Sequence, residues 1–351
     1  DEEKTKGQVK KNWLLTCKNV KDALAAAGYV GSNKPKVLWN DLCLQATAEI
    51  VWNWAGCAEY LSASPNLSIS NFFVDIFASM QSSCTALDFG KLVASVYHNI
   101  CKARALLYSD NKSWSSGCSM DTWSLISLDQ SKADALKNAV DNFALSLLDL
   151  KASDNAAFNA VYTSCVRQSP ESYADCKGLA YCGTFAFLND LGWLAKDVEA
   201  YAQTNSLTQL KSAASALKEL LKNGDDKLIV YAWGGRRATD GEYEERTENQ
   251  KTYKLWKNLT ANSMYLTGQK DFMSGAAVEV ENPDDYYGMT IVASPRWAWH
   301  APAQSGDPVR VRGQSSAVDN YYDWTGFSQK WEQVIQAWRD AELAGGFGGN
   351  P

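Results

Sequence analysis

Apolar residues recur at helical spacing through several long stretches of this chain. From Trp13 to Gly28, Leu14, Leu15, Val20, Ala23, Leu24 and Ala27 share one face, and Gly28 ends the helix. The spacing predicts further helices over Gln45 to Trp54, Phe72 to Met80, Leu87 to Leu107, Ser131 to Leu150, Ala156 to Gln168, Phe185 to Tyr201, Leu207 to Leu221 and Phe327 to Leu343. Asp129 stands near the N-terminus of the fourth of these, in position to cap it. Between the helices lie short β-like runs: "KVLWND", "AEYLSAS", "TWSLISLD" over Thr122 to Asp129, "KLIVYAWGG", "AAVEVEN" and "YGMTIVAS".

Strands that alternate with helices predict an α/β protein with a sheet covered on both faces. There is no internal repeat. The best boundary lies near Lys222 to Lys227, although the later strands could join the first sheet. The expected organisation is 1–222, 223–343 as a β-rich portion with a closing helix, and 344–351 as a tail of Gly-rich composition.

Composition narrows the function. At 46% hydrophobic and 21% charged, 351 residues can bury a sizeable core. The fourteen tryptophans read first as large core side chains. Net charge is −6, and no Lys/Arg block is long enough to track a phosphate backbone, which argues against nucleic acid. No apolar run approaches the ~18 residues that span a bilayer. Nine cysteines without a C-x-x-C pair leave two readings open: four disulfides plus one thiol, or nine thiols.

The candidate chemistry sits in "KPKVLWNDLCLQATAEI", Lys34 to Ile50. A strand feeding a helix puts Cys43 at the carboxyl edge of a sheet, where open α/β sheets bind ligands. A helix N-terminus just beyond would support a thiolate and an oxyanion. Asp41, two residues upstream, would raise the cysteine pKa, so it fits a receptor for a basic substrate side chain better than an activator. Spacing alone leaves a buried structural cysteine open. A nucleophile also needs a base, and the only histidines are His98, within a helical stretch, and His300, in a Trp-rich loop.

"VLWNDLCLQATAEIVWNWAGCAEYLSASP" resembles the nucleophile segment of the clostripain family of cysteine peptidases, through Asp41, Cys43, Leu44, Glu49, Tyr60, Leu61, Ala63 and Ser64. Further resemblances follow in the family's order: "TWSLISLDQSKADALKNAVDNFALSL", "FLNDLGWLAKDV", "YYGMTIVAS" and "YYDWTGFSQKWEQVIQAW". The resemblance implies a caspase-like, mostly parallel sheet flanked by helices, with additional C-terminal α/β elements. It implies Cys43 as nucleophile and Asp41 as the acid that favours Arg or Lys before the scissile bond. Two departures stand out: Leu42 replaces the usual Ala, and Gln45 the usual Met.

The family's histidine lies upstream of the cysteine in a His-Gly pair, and none occurs here. In the family a precursor is cleaved between the two into light and heavy chains. The chain opens "DEEKTKGQVKKNW", without Met or signal-like regions, so residue 1 is an expression boundary or a product of cleavage. The expectation is the heavy chain of a secreted, cell-surface or periplasmic bacterial endopeptidase, made as a zymogen, with Lys or Arg preceding Asp1 in the precursor and the histidine on a light chain. Two alternatives remain: an inactive binding or structural module of the same fold, and a one-chain hydrolase pairing Cys43 with His300 or His98. Clostripain itself is of a calcium-dependent type; "ENPDDYY", Glu281 to Tyr287, is a calcium candidate or a solvated turn.

Overall fold

The computed structural model of this protein describes residues 17–42, 45–65, 73–107, 122–166, 188–234, 243–248, 251–256, 287–293 and 325–344. In chain order these form α1 (Cys17–Ala26), β1 (Val37–Asn40), α2 (Ala48–Trp54), β2 (Tyr60–Ala63), α3 (Phe73–Ser79), α4 (Ala86–Leu107), β3 (Thr122–Ser127), α5 (Gln130–Ser153) and α6 (Asn155–Val161), which runs on as a π-helical turn (Tyr162–Val166). Then follow β4 (Leu188–Asp190), α7 (Leu191–Thr204), α8 (Thr208–Leu220), β5 (Ile229–Gly234), β6 (Tyr243–Glu248), β7 (Lys251–Trp256), β8 (Thr290–Val292) and α9 (Gln329–Leu343).

The class is α/β, with a sheet flanked by helices. Four strands pair in the order β1-β2-β3-β5. The resemblance implies a mostly parallel sheet; among the described residues it is mixed. β1 and β2 run parallel with Val37 opposite Tyr60, while β2–β3 and β3–β5 are antiparallel. The parallel pair β1–β2 is joined through α2, as a crossover connection requires. β5, which follows the expected boundary near residue 222, is the fourth strand of this sheet.

Alternation along β3 splits the core in two. Trp123 packs under α4 with Val93 and Tyr97, joined by Trp39 of β1 and Tyr231 of β5. Ile126 faces the other way, into the larger core shared by α5, α7, α8 and α9. A register shift between Leu125 and Ile126 accommodates one extra residue on β5, so Tyr231 and Ile229 serve opposite faces. The core reading of the tryptophans holds for Trp123, Trp331 and Trp338, all fully buried. Trp331 and Trp338 of α9 meet edge to face at 5.9 Å, and Trp338 stacks on Phe158 at 5.5 Å.

Caps set the helix limits. Asp129 accepts from the N–H groups of Ser131 and Lys132 and starts α5, as its position predicts. Ser328 accepts from Trp331 N–H and starts α9. One predicted helix is corrected: within Phe185 to Tyr201, residues 188–190 form β4 against β8, and Asp190 caps α7 by accepting from Trp193 N–H. β6 and β7 pair antiparallel, two strands the sequence pattern does not predict, and their register sets Glu245 opposite Lys254 and Glu248 opposite Lys251. The predicted strand "AAVEVEN" lies outside the described residues. Cys57, Cys84 and Cys165 are free thiols, which removes the four-disulfide reading of the nine cysteines.

Candidate active site

β1 ends at Asn40, and Asp41 follows it, half-buried, at the carboxyl edge of the sheet. Leu42, next in line, is 59% exposed. Cys43 and Leu44 lie outside the described residues. The chain is described again at Gln45, where it is anchored. The N–H groups of Gln45 and Ala46 both donate to the Ser64 carbonyl, at 2.8 and 3.0 Å. Ser64 directly follows β2 and is fully buried. Asp41 and Gln45 thus both stand at the carboxyl ends of the parallel pair β1–β2, the edge where a ligand site is expected.

A second anchor comes from β8, far along the chain. Thr290 N–H donates to the Ala46 carbonyl at 3.0 Å, and Thr47 and Thr290 form a parallel bridge. Glu49, 6% exposed, accepts from Val292 N–H through Oε1 at 3.1 Å. These contacts correct the expected helix start. Residues 45 and 46 give their hydrogen bonds to strands, so α2 begins at Ala48, with Thr47 Oγ1 capping Ile50 N–H. Two consequences follow for the oxyanion support that the strand-to-helix junction leads one to expect. The N–H groups of Gln45 and Ala46 are committed and do not serve an oxyanion. The start of α2 is also too distant in sequence for direct support, because a helix dipole acts mainly within its end turn.

β8 is itself held by a buried carboxylate. Asp190, 1% exposed, accepts from Trp193 N–H through Oδ1 at 2.9 Å and from Gly288 N–H through Oδ2 at 3.0 Å. Gly288 has φ +83° and lies so close to Ala232 and Ser124 that a Cβ would meet each at 2.5 Å. Ser124 Oγ donates to its carbonyl. Tyr287 covers Gly192, where a Cβ would sit 1.9 Å from the ring. The motif letters Tyr287 and Gly288 are thus a packing joint between β4–α7, β8 and the main sheet. Glu49, Ser64, Asp190 and Thr290 all stand in segments that carry the family resemblance, yet the sequence alone gives a local structural signal only at Asp190, an acid before an apolar helical run.

The other candidates are placed as follows. His98 lies within α4, next to buried Tyr97, while His300 falls outside the described residues. Of Glu281 to Tyr287 only Tyr287 is described. Among the described residues no group of three or more His, Cys, Asp or Glu is placed to hold a metal ion. Two described thiols are poor nucleophiles. Burial pushes the Cys57 thiol up despite Lys21 and Lys34, and burial with nearby Asp197 pushes Cys165 up to about 12.

No described helix is long and apolar enough to cross a membrane. Among solved structures, a B. fragilis cysteine protease is similar at 12% identity and a TM-score of 0.39, covering 93% of this chain and 97% of its own. A clostripain from Bacteroides thetaiotaomicron, in complex with a peptide inhibitor, shares 14% identity over 80% of this chain and 86% of that one, at a TM-score of 0.37. A secreted C11 cysteine protease from the same organism shares 13% over 90% of this chain and 63% of its own, at 0.39. No curated protein matches the chain. The model of the clostripain family, by contrast, matches residues 5–282, most of the sequence, and the chain accordingly belongs to that family of cysteine peptidases.

Proposed function

We propose that this chain is the nucleophile-bearing part of a cysteine endopeptidase that cuts after Arg or Lys, working outside the cytoplasm of a bacterium. Cys43 is its nucleophile and Asp41 its receptor for the basic side chain. The observation that carries this reading is the position of Asp41: an acid at the carboxyl edge of β1, with the chain beyond Cys43 tied to the Ser64 carbonyl. A carboxylate at that edge pairs with guanidinium or ammonium.

The reaction is acyl transfer. The Cys43 thiolate adds to the scissile carbonyl, and collapse of the adduct breaks the C–N bond. A histidine protonates the departing amine; water then hydrolyses the thioester and releases the new carboxyl end. With Gln45 and Ala46 N–H committed to Ser64, the oxyanion falls to the N–H of Cys43 and a donor from elsewhere. Both histidines in this sequence follow Cys43 and neither stands in a His-Gly pair. In keeping with the family resemblance, the base in this proposal is the histidine of an upstream His-Gly pair, carried on a light chain cut from the same zymogen, and not His98 or His300.

The test is hydrolysis of peptides that differ only in the residue before the scissile bond. Arg and Lys substrates are cut, and Cys43→Ala abolishes the cleavage. Asp41→Asn lowers kcat/KM for basic substrates by roughly 10- to 100-fold, the scale of one charge-assisted hydrogen bond, and leaves neutral ones unchanged. Equal losses on all substrates would remove Asp41 as the receptor. Absence of cleavage with the companion chain present would favour an inactive module.

A further inference from the structure

Residues 21–33 stand off the body of the protein. Every one of them is exposed except half-buried Leu24. They comprise most of α1 and a short helical turn, Gly31–Asn33, that buries no residue. The base of this excursion is closed. Burial pushes the Cys57 thiol up, and Lys21 and Lys34 both lie near enough to pull against it, so the outgoing and returning limbs meet beside Cys57. Tyr29 and Val30 lie between them, at the tip, 48% and 55% exposed.

Hydrogen bonds hold the tip in one shape. Gly28, at φ +81°, ends α1 in the left-handed conformation. Its N–H donates to the Ala25 carbonyl at 3.0 Å, and Tyr29 N–H donates to the Leu24 carbonyl at 2.9 Å. Asn33 closes the turn: its Nδ2 donates to the Gly28 carbonyl at 2.9 Å and its N–H to the Val30 carbonyl at 3.0 Å. Single exposed apolar residues are ordinary. Here, however, two adjacent ones stand on a spur that buries almost nothing and is already ordered, so little ordering entropy is left to lose on contact.

Charge selects the partner. The chain carries a net charge of −6, yet residues 17–36 hold four lysines, Lys18, Lys21, Lys34 and Lys36, against one acid, Asp22. Lys36 also meets Glu59, and the local excess stays positive. An apolar tip beyond a basic base suits an anionic bilayer: Tyr and Val enter the headgroup layer while lysines remain with the phosphates. An acidic protein would be drawn by the same lysines, but would not call for apolar side chains that project past them. We propose that this spur docks the protein on an anionic phospholipid surface, with Tyr29 and Val30 inserted and Lys21 and Lys34 on the headgroups. Docking of this kind does not depend on the peptidase reading. It needs no helix that crosses the bilayer, and no described helix is long and apolar enough to do so.

The whole protein, with any companion chain, is sedimented with vesicles of phosphatidylcholine alone and of equal parts phosphatidylcholine and phosphatidylglycerol, at low and high salt. The wild type should bind the mixed vesicles and be released by salt. Tyr29→Ser with Val30→Ser should lower that binding roughly tenfold, the scale of burying the exposed parts of two apolar side chains. Lys21→Gln with Lys34→Gln should lower it by roughly fivefold per lysine. Since the spur packs on so little, both double variants should keep the unfolding midpoint of the wild type; a clear drop would contradict the unpacked spur. A wild type that ignores the mixed vesicles, or binds phosphatidylcholine alone equally well, overturns the proposal. Undiminished binding by either double variant does the same. So does loss of a companion chain from the Tyr29 and Val30 variant on gel filtration, which would make the spur a protein interface.

Discussion

Asp190 holds the joint on which the candidate site leans, and removing it should show in both stability and catalysis. Asp190→Ala takes away two acceptors at once. The N-terminal cap of α7, donated by Trp193 N–H, is worth about 1 kcal/mol. The Gly288 N–H, buried and aimed at the other oxygen, loses a charged acceptor, at a cost of about 1–3 kcal/mol. The expected loss is therefore about 2–4 kcal/mol, a large part of the stability of an ordinary domain. Asp190→Asn separates the two contributions. Its remaining oxygen can keep the α7 cap, while its amide nitrogen cannot accept from Gly288, so about half the loss should remain. Denaturant unfolding followed by circular dichroism measures both. Catalysis is coupled through β8: Thr290 holds Ala46 and Val292 holds Glu49, so loosening Gly288 should reduce kcat under conditions where the variant is still folded. An Asp190→Ala loss below about 0.5 kcal/mol, the size of an ordinary surface change, would refute the joint. So would an Asn variant as unstable as the Ala variant.

Three further outcomes follow from the same structure. Gly192→Ala drives a Cβ into the Tyr287 ring and should destabilise by about 3 kcal/mol, read from the denaturation midpoint; a cost near zero would mean the packing is not as described. Asp129, its carboxyl held below the ordinary value first by the Ser131 hydroxyl and then by N–H groups of α5, has a depressed folded pKa. Its contribution is therefore full above the unfolded value near ~4 and is lost as pH falls through the folded one; Asp129→Ala should cost about 1 kcal/mol at pH 7 and less at pH 3. A cost that is the same at both pH values would contradict this. Cys165, with its pKa pushed up to about 12, should resist iodoacetamide at pH 8 in the folded protein and react only in denaturant, as mass mapping would reveal. Native-state alkylation of Cys165 as fast as that of half-exposed Cys84 would contradict its burial.

Long periodic elements were the most legible in the sequence. The sequence pattern predicts α5 over Ser131 to Leu150 and the helix spans Gln130–Ser153, because its apolar stripe and its Asp129 cap are both local signals. The strand before Asp41 has no period to read; its short apolar run Val37, Leu38 and Trp39, closed by Asn40 and Asp41, is what marks it and the edge where Asp41 stands. What escaped was fixed by distant backbone groups. Nothing in "LQATAEI" announces that Ser64 and Thr290 will take the hydrogen bonds of residues 45 and 46 and delay the helix to Ala48. β4 has three residues, too few for any period, and exists because β8 lies beside it. Gln45 reads in the sequence only as a departure from the family's Met, whereas its hydrogen bond from Asn40 depends on the fold.

The most direct test of the account is peptide mapping after treatment with a Lys-ending peptide chloromethyl ketone. The whole protein, with any companion chain, is labelled at neutral pH, digested, and the modified cysteine is read by mass spectrometry. The account predicts one stoichiometric adduct, on Cys43, that forms several-fold faster than with the same reagent ending in Ala and loses that advantage in Asp41→Asn. An adduct on any other of the nine cysteines, or equal rates for the two reagents in the wild type, would contradict it.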